Sequence, residues 1–462
     1  MLRLMSHDPF LGRRELLRFG SLALAGLAVP PFFPGQTLAG DLANLTTDKS
    51  VVFVFMHGGP SQIETFDPKM TAPRGNASVT GEVSTKIPGV TFGGTFTRLS
   101  SLADQFSIVR SFQTGDGNHD IKPVVGKATS GASLGSLYAR IAGANRSGSG
   151  MPTNVALYPR AVDDSAMPAI KQFGDFEATG PLGGGFAPFA PSGGGPLQEN
   201  MKLQIAPDRL GDRQALLRGL DQIRRHVDSS STWDGLDSLR QQAFSTILGG
   251  AAKAFDLSEE DPATIARYDT APLVRPNQIN KRWNNYERYV DNAKSLGKLM
   301  LLSRRLCEHG AGFVMVTTNF VWDMHSDQNN AGPEEGMRYV GVPFDHAISV
   351  FLEDLRDRGL SDQILLVCCG EMGRTPQMNA RGGRDHWGGL APLMLAGAGI
   401  PGGHVIGQST RDAAQPLTEP IRIPNLVSTI LRTLMDTPQL RLRSGVPSEV
   451  LQAINADPIP FG

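Results

Sequence analysis

The sequence predicts an α/β protein built on a doubly wound, mostly parallel sheet with a helical insertion. Short continuous apolar runs, Val51 to Met56, Phe313 to Thr318 and Ile364 to Cys369, have the composition of strands buried on both faces. A helix-patterned stretch, Val342 to Arg358, separates the last two, and strands alternating with helices imply parallel pairing. Each apolar run is followed by a short cluster of acids and histidines. In a sheet of this kind, residues far apart in sequence meet outside the carboxyl ends of the strands.

Length and composition fit one enzyme-sized body. The chain has 462 residues, 40% hydrophobic and 19% charged, which is ordinary for a globular protein with a large core. With Lys+Arg 44 against Asp+Glu 45, the net charge of -1 gives no reason to expect a nucleic-acid partner. Gly 53 and Pro 32 imply many loops carried on the scaffold. The three cysteines are Cys307, Cys368 and Cys369, and the last two are adjacent in an apolar run, so a disulfide framework is not expected.

Residues 1–40 read as an address. Arg13-Arg14-Glu15-Leu16-Leu17 is followed by a Gly- and Ala-rich apolar stretch, Phe19 to Val29, too short to span a bilayer, and Thr37-Leu38-Ala39 offers a small-residue cleavage site. The pattern resembles a twin-arginine signal peptide, which carries folded proteins to the periplasm or beyond. No later segment is apolar for long enough to span a membrane. Residues 41–462 are read as a single α/β domain.

Along that domain, Val51 to Met56 opens the sheet and runs into the loop His57-Gly58-Gly59-Pro60-Ser61. Ser107 to Phe112 reads as a second strand, followed by a polar turn holding Asp116, His119 and Asp120. Residues 180–196 are nearly all Gly, Pro, Ala and Phe and predict a mobile loop without an element, placed to cover a cleft. Helical spacing marks Asp208 to Val227, Leu236 to Phe255 and Asn284 to Glu308, with Asp261-Pro262-Ala263 as a further helix start. These helices predict a covering layer over about residues 197–308.

The site candidates are the clusters at strand ends: His57, then Trp322-Asp323-Met324-His325, then Gly370-Glu371-Met372-Gly373-Arg374, and Gly383-Arg384-Asp385-His386-Trp387. Imidazole and carboxylate are ligands for a hard or borderline divalent cation, so His57, Asp323, His325, Glu371, Asp385 and His386 are the expected metal ligands. Arg374, three residues after Glu371, has the planar fork that binds an oxyanion, and Gly58 with Gly59 offers a backbone N–H nest for an anion. Arg374 and His119 are the catalytic candidates, with Arg374, Gly58 and Gly59 binding substrate. The plainer readings are an internal salt bridge for Glu371 with Arg374 and turn capping for His57 and His119. Asp67 before Pro68 is explained by turn formation. His7, His226, His309 and His404 lack a cluster and read as ordinary hydrogen-bonding groups.

The same residues carry a family resemblance. His57-Gly58-Gly59-Pro60-Ser61-Gln62, the Trp322 to His325 motif, the run from Phe344-Asp345-His346 to Cys369, Gly370 to Pro376 and Gly383 to Trp387 resemble the DUF1501 family of exported bacterial proteins. That family is in turn similar to the alkaline phosphatase and sulfatase superfamily. The resemblance implies an alkaline phosphatase/sulfatase-like fold, Asp323, His325 and His386 as ligands of one metal (zinc, calcium or manganese), and an anionic small-molecule or polysaccharide substrate.

The chain departs from the superfamily pattern. Glu371 stands where the superfamily has an Asp-His pair, and His57 where it usually has an Asp. The segment that carries the superfamily nucleophile has only the hydroxyl of Thr114, with Thr129 and Ser130 coming late. The expectation is therefore a metal-dependent hydrolase of phosphate or sulfate esters attacking without a covalent nucleophile. The alternative is a non-catalytic binding or assembly protein on the same fold.

Overall fold

In a computed structural model of the protein, which describes residues 42–73, 75–191 and 251–461, β1 (Ser50–Phe55) lies inside a seven-stranded sheet. The others are β2 (Ser107–Val109), β3 (Asn154–Leu157), β4 (Phe313–Thr317), β5 (Ile364–Cys369), β6 (Leu393–Ala396) and β7 (Val405–Ile406). Their order is β7-β2-β6-β5-β1-β4-β3. All six residues of β1 are buried, as the unbroken Val/Phe run requires of a strand covered on both faces. The expected doubly wound, mostly parallel sheet is present: β3, β4, β1 and β5 are parallel, while β6 runs antiparallel between β5 and β2.

Alternation along β1 divides the core. Val52 and Val54 face one layer, packed with α2 (Tyr286–Glu308) and α3 (Val342–Asp357) through residues such as Leu299 and Phe351. Val51, Phe53 and Phe55 face the other, packed with α1 (Leu134–Ala142) and α4 (Ile423–Leu434) through Leu137 and Ile430. Pro343 sits in the first turn of α3, where its missing N–H costs no helical bond. Ser133 caps α1 by accepting from the Ser136 amide.

Register is what builds the site. Phe55 lies opposite both Thr317 and Cys369, so the loops leaving β1, β4 and β5 emerge level with one another at one sheet edge.

The structure changes several expected boundaries. The strand expected over Ser107 to Phe112 breaks after Val109. Arg110 turns its guanidinium to the Phe66 and Thr91 carbonyls, and Phe112–Gln113 pairs instead with Ile421–Arg422. The described part of the loop at residues 180–196 is not without elements. It forms two single 3-10 turns, and Phe189 then exchanges backbone bonds with Asn154 and Ala156 of β3 at 2.9 and 3.0 Å. It thus covers the sheet edge rather than a cleft, satisfying an otherwise open row of donors and acceptors.

The expected signal peptide, the helix Asp208 to Val227 and most of Leu236 to Phe255 lie outside the described residues; Ala252–Phe255 is a short helix. Asp261 caps Pro262–Tyr268 as expected. Among the described residues no helix is long and apolar enough to cross a membrane.

Candidate metal centre

Four side chains from three loops converge at the level sheet edge. His119, Asp323, His325 and His386 each offer one ligand atom, and these atoms all lie within 4.8 Å of one another. His325 Nε2 is 2.7 Å from His386 Nε2 and 3.1 Å from Asp323 Oδ1. His119 Nε2 is 3.7 Å from Asp323 Oδ2. Two imidazole nitrogens at that spacing need a proton or a cation between them. Donors about 2.1 Å from a tetrahedral ion stand roughly 3.4 Å apart, within the spread seen here, so the residues fit a divalent metal by both chemistry and spacing.

The surroundings tune each ligand. Burial works against ionisation of Asp323, but the Arg374 charge and hydrogen bonds from His325 and His386 outweigh it and hold the carboxyl well below its usual range. Burial alone would lower His325, yet the hydrogen bond and charge of Asp323 raise it. Desolvation brings His119 down to about 4, against the pull of Asp323, and lowers His386. Both are neutral imidazoles at neutral pH, the form that ligates.

Supporting bonds fix the orientation. Asp385 accepts from His325 Nδ1 at 3.1 Å and from Asn379 Nδ2 at 3.0 Å, leaving Nε2 to face the cluster. Asn330 donates to Asp323 Oδ2 at 3.0 Å and accepts from Asn285 at 2.6 Å. Glu371 Oε1 lies 3.2 Å from His119 Nδ1 and accepts the Gly58 amide at 2.9 Å. Its other oxygen has no partner, and burial pushes its carboxyl up to about 8. His57 is enclosed by Phe55, Phe176 and Phe320, with Nε2 unpartnered and a pKa driven to about 3, first by burial.

The structure sorts the expected site residues. Asp323, His325 and His386 converge with atoms that could ligate one ion, joined by His119, which the sequence marked for catalysis. Glu371 touches that set through His119, and Asp385 orients His325 from a half-exposed position. His57 lies behind Phe320, outside the four convergent atoms.

Arg374 is fully buried and turns four of its five N–H donors to three backbone carbonyls and a carboxylate. Nε donates to Gly59 O, Nη1 to Arg384 O, and Nη2 to Gly58 O and Asp323 Oδ1, the last at 2.5 Å; Nη1 also lies 3.2 Å from His325 Nε2, which accepts from it only when that nitrogen carries neither proton nor metal. No fork is left for a substrate oxyanion. The Gly58 amide is held by Glu371 and the Gly59 amide turns to Met56 O, so neither is free as an anion nest. Gly58 has another reason to be glycine: its φ is 115°, and a Cβ would stand 2.5 Å from the Asp323 nitrogen.

Two contributors escaped the sequence reading. Asn330 lies in a run, Asn329-Asn330-Ala331, that reads as an ordinary turn. Phe320 holds φ at 40°, a strained conformation for a bulky residue, and with Phe173 stacked on it at 4.4 Å walls His119 on one side. Thr114, the expected hydroxyl, is buried and makes no hydrogen bond to any cluster residue.

The family model described as "Protein of unknown function (DUF1501)" matches residues 48–443. The chain belongs to the DUF1501 family. No curated protein sequence matches it. Among solved structures, the PsFucS1 sulfatase from Pseudoalteromonas sp. is similar over 87% of this chain and 72% of its own, at 10% identity and a TM-score of 0.38. The phosphonate monoester hydrolase of Agrobacterium radiobacter is similar over 84% and 74%, at 11% identity and 0.34. The lipoteichoic acid synthase LtaP from Listeria monocytogenes is similar over 90% and 81%, at 8% identity and 0.32. Overlaps this loose say nothing about which reaction the DUF1501 chain performs.

Proposed function

We propose that this DUF1501 protein is an exported, metal-dependent hydrolase of phosphate or sulfate esters, acting on an anionic small molecule or polysaccharide. The reading rests on the convergence of His119, Asp323, His325 and His386 at the carboxyl edge of the sheet. Bound there, a zinc, calcium or manganese ion would supply Lewis-acid polarisation of the ester and acidify water.

The chain's own groups have separable tasks. Arg374 and Asn330 hold the two oxygens of Asp323 in place. Asp385 keeps the His325 proton on Nδ1, and Glu371 holds His119 by its Nδ1. Glu371, with its carboxyl raised to about 8, retains a proton at neutral pH beside that imidazole, an arrangement suited to proton transfer. Phe173 and Phe320 shield this side from water.

The engaged Arg374 and the uninvolved Thr114 favour the second reading, a binding or assembly protein that holds metal without turnover. A screen of aryl phosphates and aryl sulfates with zinc-, calcium- or manganese-loaded protein decides. The hydrolase reading expects turnover that chelation removes; fully loaded protein inactive on every ester leaves the binding protein.

Export is proposed from the paired arginines alone. Arg13→Lys with Arg14→Lys is expected to leave a full-length precursor in the cytoplasm of the producing cell, detected by fractionation. Unchanged export of the double variant rejects the twin-arginine route.

A further inference from the structure

Arg374 leaves the site without a free cationic fork of its own, yet a second guanidinium stands nearby with nothing bound to it. Arg288 lies in the first turns of α2. Its Nη1 is buried without a hydrogen-bond partner, and among the described residues its guanidinium makes neither a hydrogen bond nor an ion pair. Asp291, the acid whose charge it feels, turns one oxygen to the Met167 amide at 2.8 Å.

Helical spacing places Arg288 on the face of α2 that meets the loop carrying Asp323 and His325. Asn285, three residues earlier, bonds to Asn330, which holds Asp323. Asn292, four residues later, accepts from Thr318, the residue after β4 and two before Phe320. Residues three and four apart on a helix share one face, so Arg288 lies between two contacts that both lead to the loop carrying Asp323 and His325. Its positive charge also reaches His57.

A partly buried, unpaired guanidinium costs stability. Arginine's fork matches the oxygens of phosphate and sulfate, and an anion beside the cluster would offset that cost. We infer that Arg288 is the substrate-anion anchor of this protein, binding a tetrahedral phosphate or sulfate oxyanion next to the His119, Asp323, His325 and His386 centre. The inference deepens the hydrolase reading and rests on it for the identity of the substrate, but not for the binding itself.

The test is calorimetric titration of the full chain, with and without metal, using inorganic phosphate in one arm and inorganic sulfate in the other. Arg288→Met is expected to weaken binding of at least one anion on the order of tenfold or more, the scale of a charged hydrogen bond. Arg288→Lys should retain part of it. Metal content should be unchanged, and the melting temperature of Arg288→Met without anion should hold or rise, since an unpaired charge has been removed.

Equal binding by Arg288→Met and the parent, or a parent that takes up metal but neither anion, overturns the inference and leaves the hydrolase reading standing. A fall of several degrees in melting temperature reveals a structural partner and also overturns it. Arg288-dependent anion binding by a protein that takes up no metal upholds the anchor and removes the hydrolase reading.

Discussion

Asp323→Asn is expected to abolish stoichiometric uptake of a divalent metal and, with it, any turnover. The substitution keeps the shape of the side chain but removes the one carboxylate among the four ligand atoms. It also leaves the buried Arg374 guanidinium without its counter-charge, and breaking one side of a buried ion pair costs about 3–5 kcal/mol. Elemental analysis and thermal melting read the two effects separately. The parent should be stabilised by added metal by about 2.7 kcal/mol at a hundredfold excess over Kd, and the variant should not respond.

Uptake should also depend on pH in one direction. His119 is neutral well below neutral pH, with a value near 4, so it does not compete. His325 is the imidazole held protonated longest, and a metal must displace that proton. Affinity is therefore expected to rise with pH through the range above the ordinary histidine value. Metal retained at full stoichiometry by Asp323→Asn, or affinity that falls as pH rises, removes these four side chains as the centre.

Much of this arrangement was legible in the sequence because its strands are unusually plain. β1, β4 and β5 are unbroken apolar runs, and the acid and histidine clusters at their ends could be placed at one edge without knowing the register. β6 and β7 were not legible: four and two residues carry too little pattern, and the antiparallel entry of β6 is set by its pairing with β5 and β2. The meeting of Asp323, His325 and His386 in one cluster could be anticipated from their residue types and strand-end positions. The place of His119 could not, because it depends on how the turn after Phe112–Gln113 folds back: a Cβ on Gly117 would stand 3.0 Å from the His386 Cβ.

What composition cannot show is which donors are already used. Arg374 and Arg288 look alike in the sequence, and the more conspicuous one, in the Gly370 to Pro376 motif, was expected to bind substrate. Four of its five donors are consumed by three carbonyls and one carboxylate, while the arginine in an ordinary helical run is the one left free.

That difference inverts the expected behaviour of Arg374→Lys. A free catalytic fork replaced by lysine would lose turnover on the order of a hundredfold, with fold and metal content intact. Lysine in the observed setting has three donors where arginine has five, so at least one of the Gly58, Gly59 and Arg384 carbonyls and Asp323 loses its partner. Each buried acceptor left unpaired costs about 1–3 kcal/mol. Arg374→Lys is therefore expected to lower the stability of the metal-free protein by about 1–3 kcal/mol, seen as a shifted denaturant midpoint with an unchanged slope. Asp323 should also lose its fixed position, so metal affinity falls together with stability. A variant as stable as the parent, with metal fully bound and only turnover lost, would return Arg374 to the catalytic role and require its bonds to Asp323 and the Gly58 carbonyl to open when substrate binds.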